Sequence, residues 1–154
     1  MNIEQTVSAA VADLQLGHTF TLDDLIHAIQ TRRQRVLRVH ELEELDTSDG
    51  LCAIWLIGDT EDVVLHAPSD SALHRQQFVL HELAHMILGH YEGEDCAAAD
   101  ALLPNIPPYT RGRLLKRQDL DGDTEIAAEA LADRLAAGIR ARAFGESRYS
   151  EVFG

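Results

Sequence analysis

One run of residues constrains this chain more than any other: Phe78-Val79-Leu80-His81-Glu82-Leu83-Ala84-His85-Met86-Ile87-Leu88-Gly89-His90. Its apolar side chains surround a helix on nearly every side, which marks the helix as buried. Two histidines and a glutamate nevertheless interrupt it. A buried, ionised carboxylate without compensation is costly enough to neutralise itself or shift its pKa, so this segment requires a compensating group. Helical geometry offers one. His81 and His85 stand four residues apart, so both imidazoles leave one face about one turn apart. That spacing lets two ring nitrogens meet a single Zn²⁺ at roughly 2.0–2.1 Å. Glu82 is rotated by about 100° from His81, beside the ion rather than on it, where it can act as general base on a water at the metal. Together these letters form the H-E-x-x-H pattern.

A mononuclear catalytic zinc has three protein ligands and one open position. The metzincin extension of the motif would place glycine at position 88 and histidine at position 91, where this chain has Leu88 and Tyr91. His90 lies five residues past His85, turned off the ligand face, and reads instead as a helix-ending residue favoured by the dipole. The better source is Thr124-Glu125-Ile126-Ala127-Ala128-Glu129-Ala130-Leu131-Ala132-Asp133. Glu125, Glu129 and Asp133 form an acidic stripe beside the apolar face of Ala128, Leu131, Ala132, Leu135 and Ile139. One carboxylate at the border can reach the metal while the next, one turn on, orients a ligand histidine. Both Glu125 with Glu129 and Glu129 with Asp133 satisfy that arrangement, so Glu125 and Glu129 are both candidate metal ligands.

The rest of the chain predicts an α+β fold. Ile3, Val7, Val11 and Leu14 fall at helical spacing, in a first helix ending near Gly17. Thr21 and Asp24 read as the cap of a second helix through about Thr31. Val36–Val39, Leu51–Ile57 and Val63–Leu65 are strand-like runs, separated by turn chemistry at Thr47-Ser48-Asp49-Gly50 and Gly58-Asp59-Thr60. They predict a small antiparallel three-stranded meander, with Val63-Val64-Leu65 as its edge. The motif helix should run from a cap at Ser69 or Asp70 to Gly89 or His90. An acidic, Ala-rich and Pro-interrupted excursion follows over 91–109, then a short basic helix over Arg111–Arg117. The ligand helix should span Thr124 to about Phe144. A chain of 154 residues suits one domain, divided here as N-terminal helices 1–33, sheet 36–66, motif helix 70–90, excursion 91–109 and ligand helix 124–144.

Composition narrows the function classes. With 13 basic against 26 acidic residues the net charge is −13, against direct nucleic-acid binding, which needs clustered Lys and Arg. No run approaches the roughly 18 apolar residues of a membrane span, and the early Glu4 without a basic cluster does not read as a signal peptide. Cys52 and Cys96 make no disulfide framework and read as reduced thiols of a cytoplasmic protein. His66 at a strand end is a candidate oxyanion donor. Tyr91 and Tyr109 read chiefly as packing residues, and His18, His27, His40 and His74 as surface or packing histidines.

With these motifs in view, the chain resembles the ImmA/IrrE family of zinc metallo-endopeptidases over roughly Gly50 to Ile139. The resemblance rests on His81-Glu82-Leu83-Ala84-His85 with Leu88-Gly89-His90, and on Glu125-Ile126-x-Ala128-Glu129 with Leu131-Ala132. The family's E-x-E-A segment carries a middle glutamate that falls here on Ala127, which leaves Glu125 first and Glu129 second as third ligand. The resemblance implies a zincin-like fold, a Zn²⁺ cofactor, Glu82 as catalytic base and cleavage of a protein partner such as a helix-turn-helix repressor. Two alternatives share the site: a zinc-stabilised pseudo-peptidase that binds a regulator without cutting it, and a toxin-like protease held by an antitoxin.

Overall fold

Helix capping sets the first elements. In the computed structural model, which describes residues 2–43, 51–57, 60–89, 111–116 and 122–153, α1 spans Ile3–Leu14 and opens on a capping box. Asn2 Oδ1 accepts from the Gln5 N–H at 2.8 Å, and the Gln5 side chain accepts from the Asn2 N–H, satisfying two donors the helix cannot pair internally. Helix α2 (Leu22–Arg33) opens on the expected Thr21–Asp24 box, both bonds 3.0 Å. The backbone and side chain of Thr21 hold the Asp24 carboxyl below its usual range. Both helices end in a glutamine in the left-handed region, Gln15 and Gln34.

The sheet departs from the predicted meander. It has four strands, β1 (Val36–Glu41), β2 (Leu51–Ile57), β3 (Glu61–His66) and β4 (Arg111–Lys116), in the order β1-β3-β2-β4. β3 pairs antiparallel with β2 (Trp55 opposite Val64) and parallel with β1 (Val39 opposite Val64). Val63-Val64-Leu65 is therefore interior rather than an edge. The reason is readable in its composition: Asp62 to Leu65 are all buried, and a strand covered on both faces reads as a continuous apolar run. β1, with its mostly exposed pattern, lies at one end of the strand order. The segment Arg111–Lys116, expected as a basic helix, is instead the strand β4, antiparallel to β2 with Gly112 opposite Leu56. Six residues are too few for a helix to hold itself in water, and Gly112 weakens it further, so pairing with β2 decides its state.

Helix α3 (Ala72–Leu88) is capped by Ser71, whose Oγ accepts from the His74 N–H at 3.3 Å. The cap is thus one or two residues later than Ser69 or Asp70. The helix ends at Gly89, whose φ of 77° suits glycine at a helix terminus. Helix α4 (Asp123–Phe153) runs beyond the predicted end at Phe144. The predicted excursion over 91–109 and His90, Tyr91 and Tyr109 lie outside the described residues.

The main core joins Trp55, Val64 and Leu37 of the sheet to Leu80 and Leu83 of α3, Leu131 and Leu135 of α4, and Leu25 and Ile29 of α2. Ile54, Leu56, Val63 and Leu65 alternate with these positions and form a second cluster, against which Phe78 packs. α3 lies against α4 and against β2 and β3, so the two helices that carry the predicted ligands face each other. A buried ion pair ties α2 to the sheet. Arg33 donates to both oxygens of Asp62 (2.7 and 3.1 Å), the Trp55 indole N–H donates to the same carboxylate at 3.2 Å, and the Arg33 guanidinium lies 5.4 Å from the Trp55 ring centroid. No helix among the described residues is long and apolar enough to cross a membrane.

Candidate metal centre

The α3–α4 contact is a ladder of polar side chains along an otherwise apolar seam. On α3, residues four apart point to one face, and Gln77, His81 and His85 make one such row. On α4 the row is Glu125, Glu129 and Asp133. The rows meet in reverse order: His85 reaches Glu125, His81 reaches Glu125 and Glu129, and Gln77 reaches Glu129 and Asp133.

Three donor atoms converge at the buried end. Glu125 Oε2 lies 2.8 Å from His81 Nε2 and 3.0 Å from His85 Nε2, and the two ring nitrogens are 3.2 Å apart. His81, His85 and Glu125 form a group able to hold a metal ion. An ion with tetrahedral bonds of about 2.0–2.1 Å needs donors about 3.3 Å apart, so a small outward shift of these side chains admits one. His85 is 0% exposed, His81 2% and Glu125 8%, and two imidazoles with one carboxylate leave a fourth position for a water or substrate.

The second carboxylate at His81, Glu129, does a different job. Its Oε2 accepts from His81 Nδ1 at 2.8 Å, on the opposite side of the ring from Glu125. Because a carboxylate only accepts, this contact keeps a proton on Nδ1 and turns the Nε2 edge of the ring toward the donor cluster, so that Nε2 is the nitrogen available to a metal once its own proton is lost. Of the two predicted ligand candidates, Glu125 therefore joins the donor group and Glu129 orients a histidine. Asp133, one turn further, bonds Gln77.

Charge within the site follows from this wiring. Burial alone would lower the His81 pKa; the hydrogen bonds to Glu125 and Glu129 outweigh it and the charges of Glu82 and Glu125 add, lifting it from 6.5 to about 9. The bond from His81 in turn holds the Glu129 carboxyl below its usual range against the opposing effect of burial. Glu82 is completely buried on α3 next to His81, close enough for its charge to act on that ring. His66 closes β3 with its Nδ1 3.2 Å from the Ala67 carbonyl oxygen and is not one of the grouped residues, while His18, His27, His40 and His74 are exposed.

Two elements of the arrangement escaped the sequence reading. Gln77 carries a signal, since it sits one turn before His81 in the same row. The Arg33–Asp62–Trp55 cluster carries none, because 29 positions separate the arginine from its carboxylate. Compared with protein-family models, curated proteins and solved structures, the chain matches none.

Proposed function

We propose that this chain is a zinc-dependent endopeptidase of zincin-like architecture, as its resemblance to the ImmA/IrrE metallo-endopeptidases implies, acting on a protein partner such as a helix-turn-helix repressor. One observation carries the reading: His81, His85 and Glu125 present three donor atoms to one point, with the buried carboxylate of Glu82 on the adjoining helix position. A purely structural site closes its coordination with protein ligands and has no use for a further carboxylate beside it. The donor set is complete without residue 127, so the alanine there does not favour the pseudo-peptidase alternative.

His81, His85 and Glu125 would hold the ion. Zinc held there would acidify a water towards neutrality and polarise the scissile carbonyl. Glu82 takes the proton of the attacking water and returns it to the leaving amine, as the H-E-x-x-H base does. Glu129 keeps the His81 ring in the tautomer whose Nε2 lone pair faces the donor cluster. The burial of His81, Glu82 and His85 strengthens each of these interactions.

The test is metal analysis of the purified protein, followed by co-expression with a helix-turn-helix repressor encoded beside it. The wild type should contain about one zinc per chain and cleave the repressor. Glu82→Gln should keep the zinc and leave the repressor intact. Absence of zinc, or iron in its place, would overturn the metal assignment. A repressor equally intact with both forms would refute catalysis on that partner.

A further inference from the structure

We infer that Gln77 is a positioning residue of this centre, holding the Glu129 carboxylate against His81; the inference rests on the metal-site reading above. Glu129 and Asp133 stand one turn apart on α4, where like charges repel. The Gln77 side-chain amide lies between them, its Nε2 3.0 Å from Asp133 Oδ1 and 3.5 Å from Glu129 Oε1. Both partners are carboxylates that only accept, so the NH₂ group must face them, and its two N–H bonds match two acceptors. Glu129 needs such a tether because its side chain is 46% exposed and free to turn into water. Oε1 of Glu129 meets Gln77 while Oε2 meets His81, so one carboxylate is fixed from both sides. The chain of contacts thus runs Asp133, Gln77, Glu129, His81, and ends at a donor atom of the centre. Gln77 touches neither the donor group nor the reacting atoms, and acts only through Glu129.

A residue that merely ties α3 to α4 would affect stability and leave metal binding alone, so the experiment reads metal binding in two backgrounds. Zn²⁺ affinity is measured by competition with a chromophoric chelator, and the visible spectrum of the Co²⁺-loaded protein is recorded, for wild type, Gln77→Met, Glu129→Ala and the double variant. Methionine keeps the length and packing of the stem and removes the amide. Gln77→Met should weaken Zn²⁺ binding about threefold to tenfold, less than the 10–100-fold typical of a residue that orients a ligand directly, and should alter the Co²⁺ spectrum. In the Glu129→Ala background the same substitution should change nothing further, since its route to the metal is already cut. Unchanged affinity for Gln77→Met, or the same loss in both backgrounds, overturns the inference. If Gln77→Met loses its helical circular dichroism, Gln77→Glu takes its place in the same cycle; it adds a third negative charge and should weaken binding more. A wild-type protein that takes up no Zn²⁺ overturns the metal-site reading, and the inference falls with it.

Discussion

Glu129 accepts the Nδ1–H of His81 at 2.8 Å, on the side of the ring opposite Glu125. One imidazole is therefore gripped by two carboxylates from successive turns of the same helix, and the proposed metal site gives the two unequal tasks. Removing a ligand takes away a bond to the ion; removing an orienting residue only loosens the ring. Glu125→Ala should abolish stoichiometric zinc in the purified protein, whereas Glu129→Ala should retain the site with affinity reduced about 10–100-fold. Metal content after dialysis and chelator competition separate the two. Equal zinc occupancy in wild type and both variants would reject this division of labour.

Proton linkage gives a second expectation. In the metal-free protein His81 keeps its proton up to about 9, and an imidazole must be neutral at the nitrogen that binds a metal. If the proposed zinc site is right, zinc displaces a proton from this ring near neutrality. Apparent affinity should rise by about tenfold per pH unit for that proton as pH increases, then level off above about 9. Calorimetry in buffers of different ionisation enthalpy should show the released proton. The same shift has a stability sign. The folded value is above the ordinary 6.5, so His81 stabilises the metal-free fold fully below 6.5, and that contribution is lost as pH climbs through about 9. A metal-free melting temperature that rises across this window would contradict the assignment.

Much of the site was legible because helical periodicity is local. His81 and His85, and Glu125 and Glu129, are each placed on common faces by spacing alone, and the structure brings those faces together. Which glutamate joins the donor group was only ranked, Glu125 before Glu129, because it depends on the relative slide of α3 along α4. Helices α1 and α2 were legible from capping and spacing, Thr21 with Asp24 above all. The sheet order was not. A strand's neighbours are chosen by long-range pairing, and Val63-Val64-Leu65 reads as an edge only if sequence order is taken for spatial order. Its unbroken apolar run was the better guide. Arg111–Lys116 shows the same limit: a short segment adopts the state of the partner it meets, here β2.

The ion pair between α2 and the sheet should be a major stabilising element. Asp62 is 1% exposed and receives both nitrogens of an Arg33 fork together with the Trp55 indole. Asp62→Ala removes the carboxylate shared by the Arg33 guanidinium, the Trp55 indole N–H and the Arg35 guanidinium at once. Breaking a buried pair from one side costs about 3–5 kcal/mol, and the lower end applies because Arg33 retains 11% side-chain exposure and some access to water. Urea unfolding should show this loss as a lower midpoint with little change in slope. Asp62→Asn keeps one acceptor for Arg33 or Trp55 and should lose less. An unfolding free energy for Asp62→Ala within about 1 kcal/mol of wild type would show that the cluster is energetically idle.

Gly138 sits inside α4, where glycine costs about 1 kcal/mol relative to alanine, and Phe20 explains its presence. A Cβ at this position would lie 2.5 Å from Cε1 and 2.6 Å from Cζ of the Phe20 ring, which is only 3% exposed. The clash involves the far end of a side chain, and a pocket of about 130 Å³ lined by Val11, Phe20, Ala137 and Gly138 adjoins it. The ring thus has room to yield to one methyl group. In Gly138→Ala the gain in helix propensity should offset the repacking, leaving stability within about 1 kcal/mol of wild type. Gly138→Val brings a branched side chain and a smaller propensity gain. Overpacking should then dominate and lower stability by about 1–3 kcal/mol. Thermal or urea unfolding of the pair decides the matter: a valine variant as stable as wild type would mean that Phe20 does not pack tightly against α4.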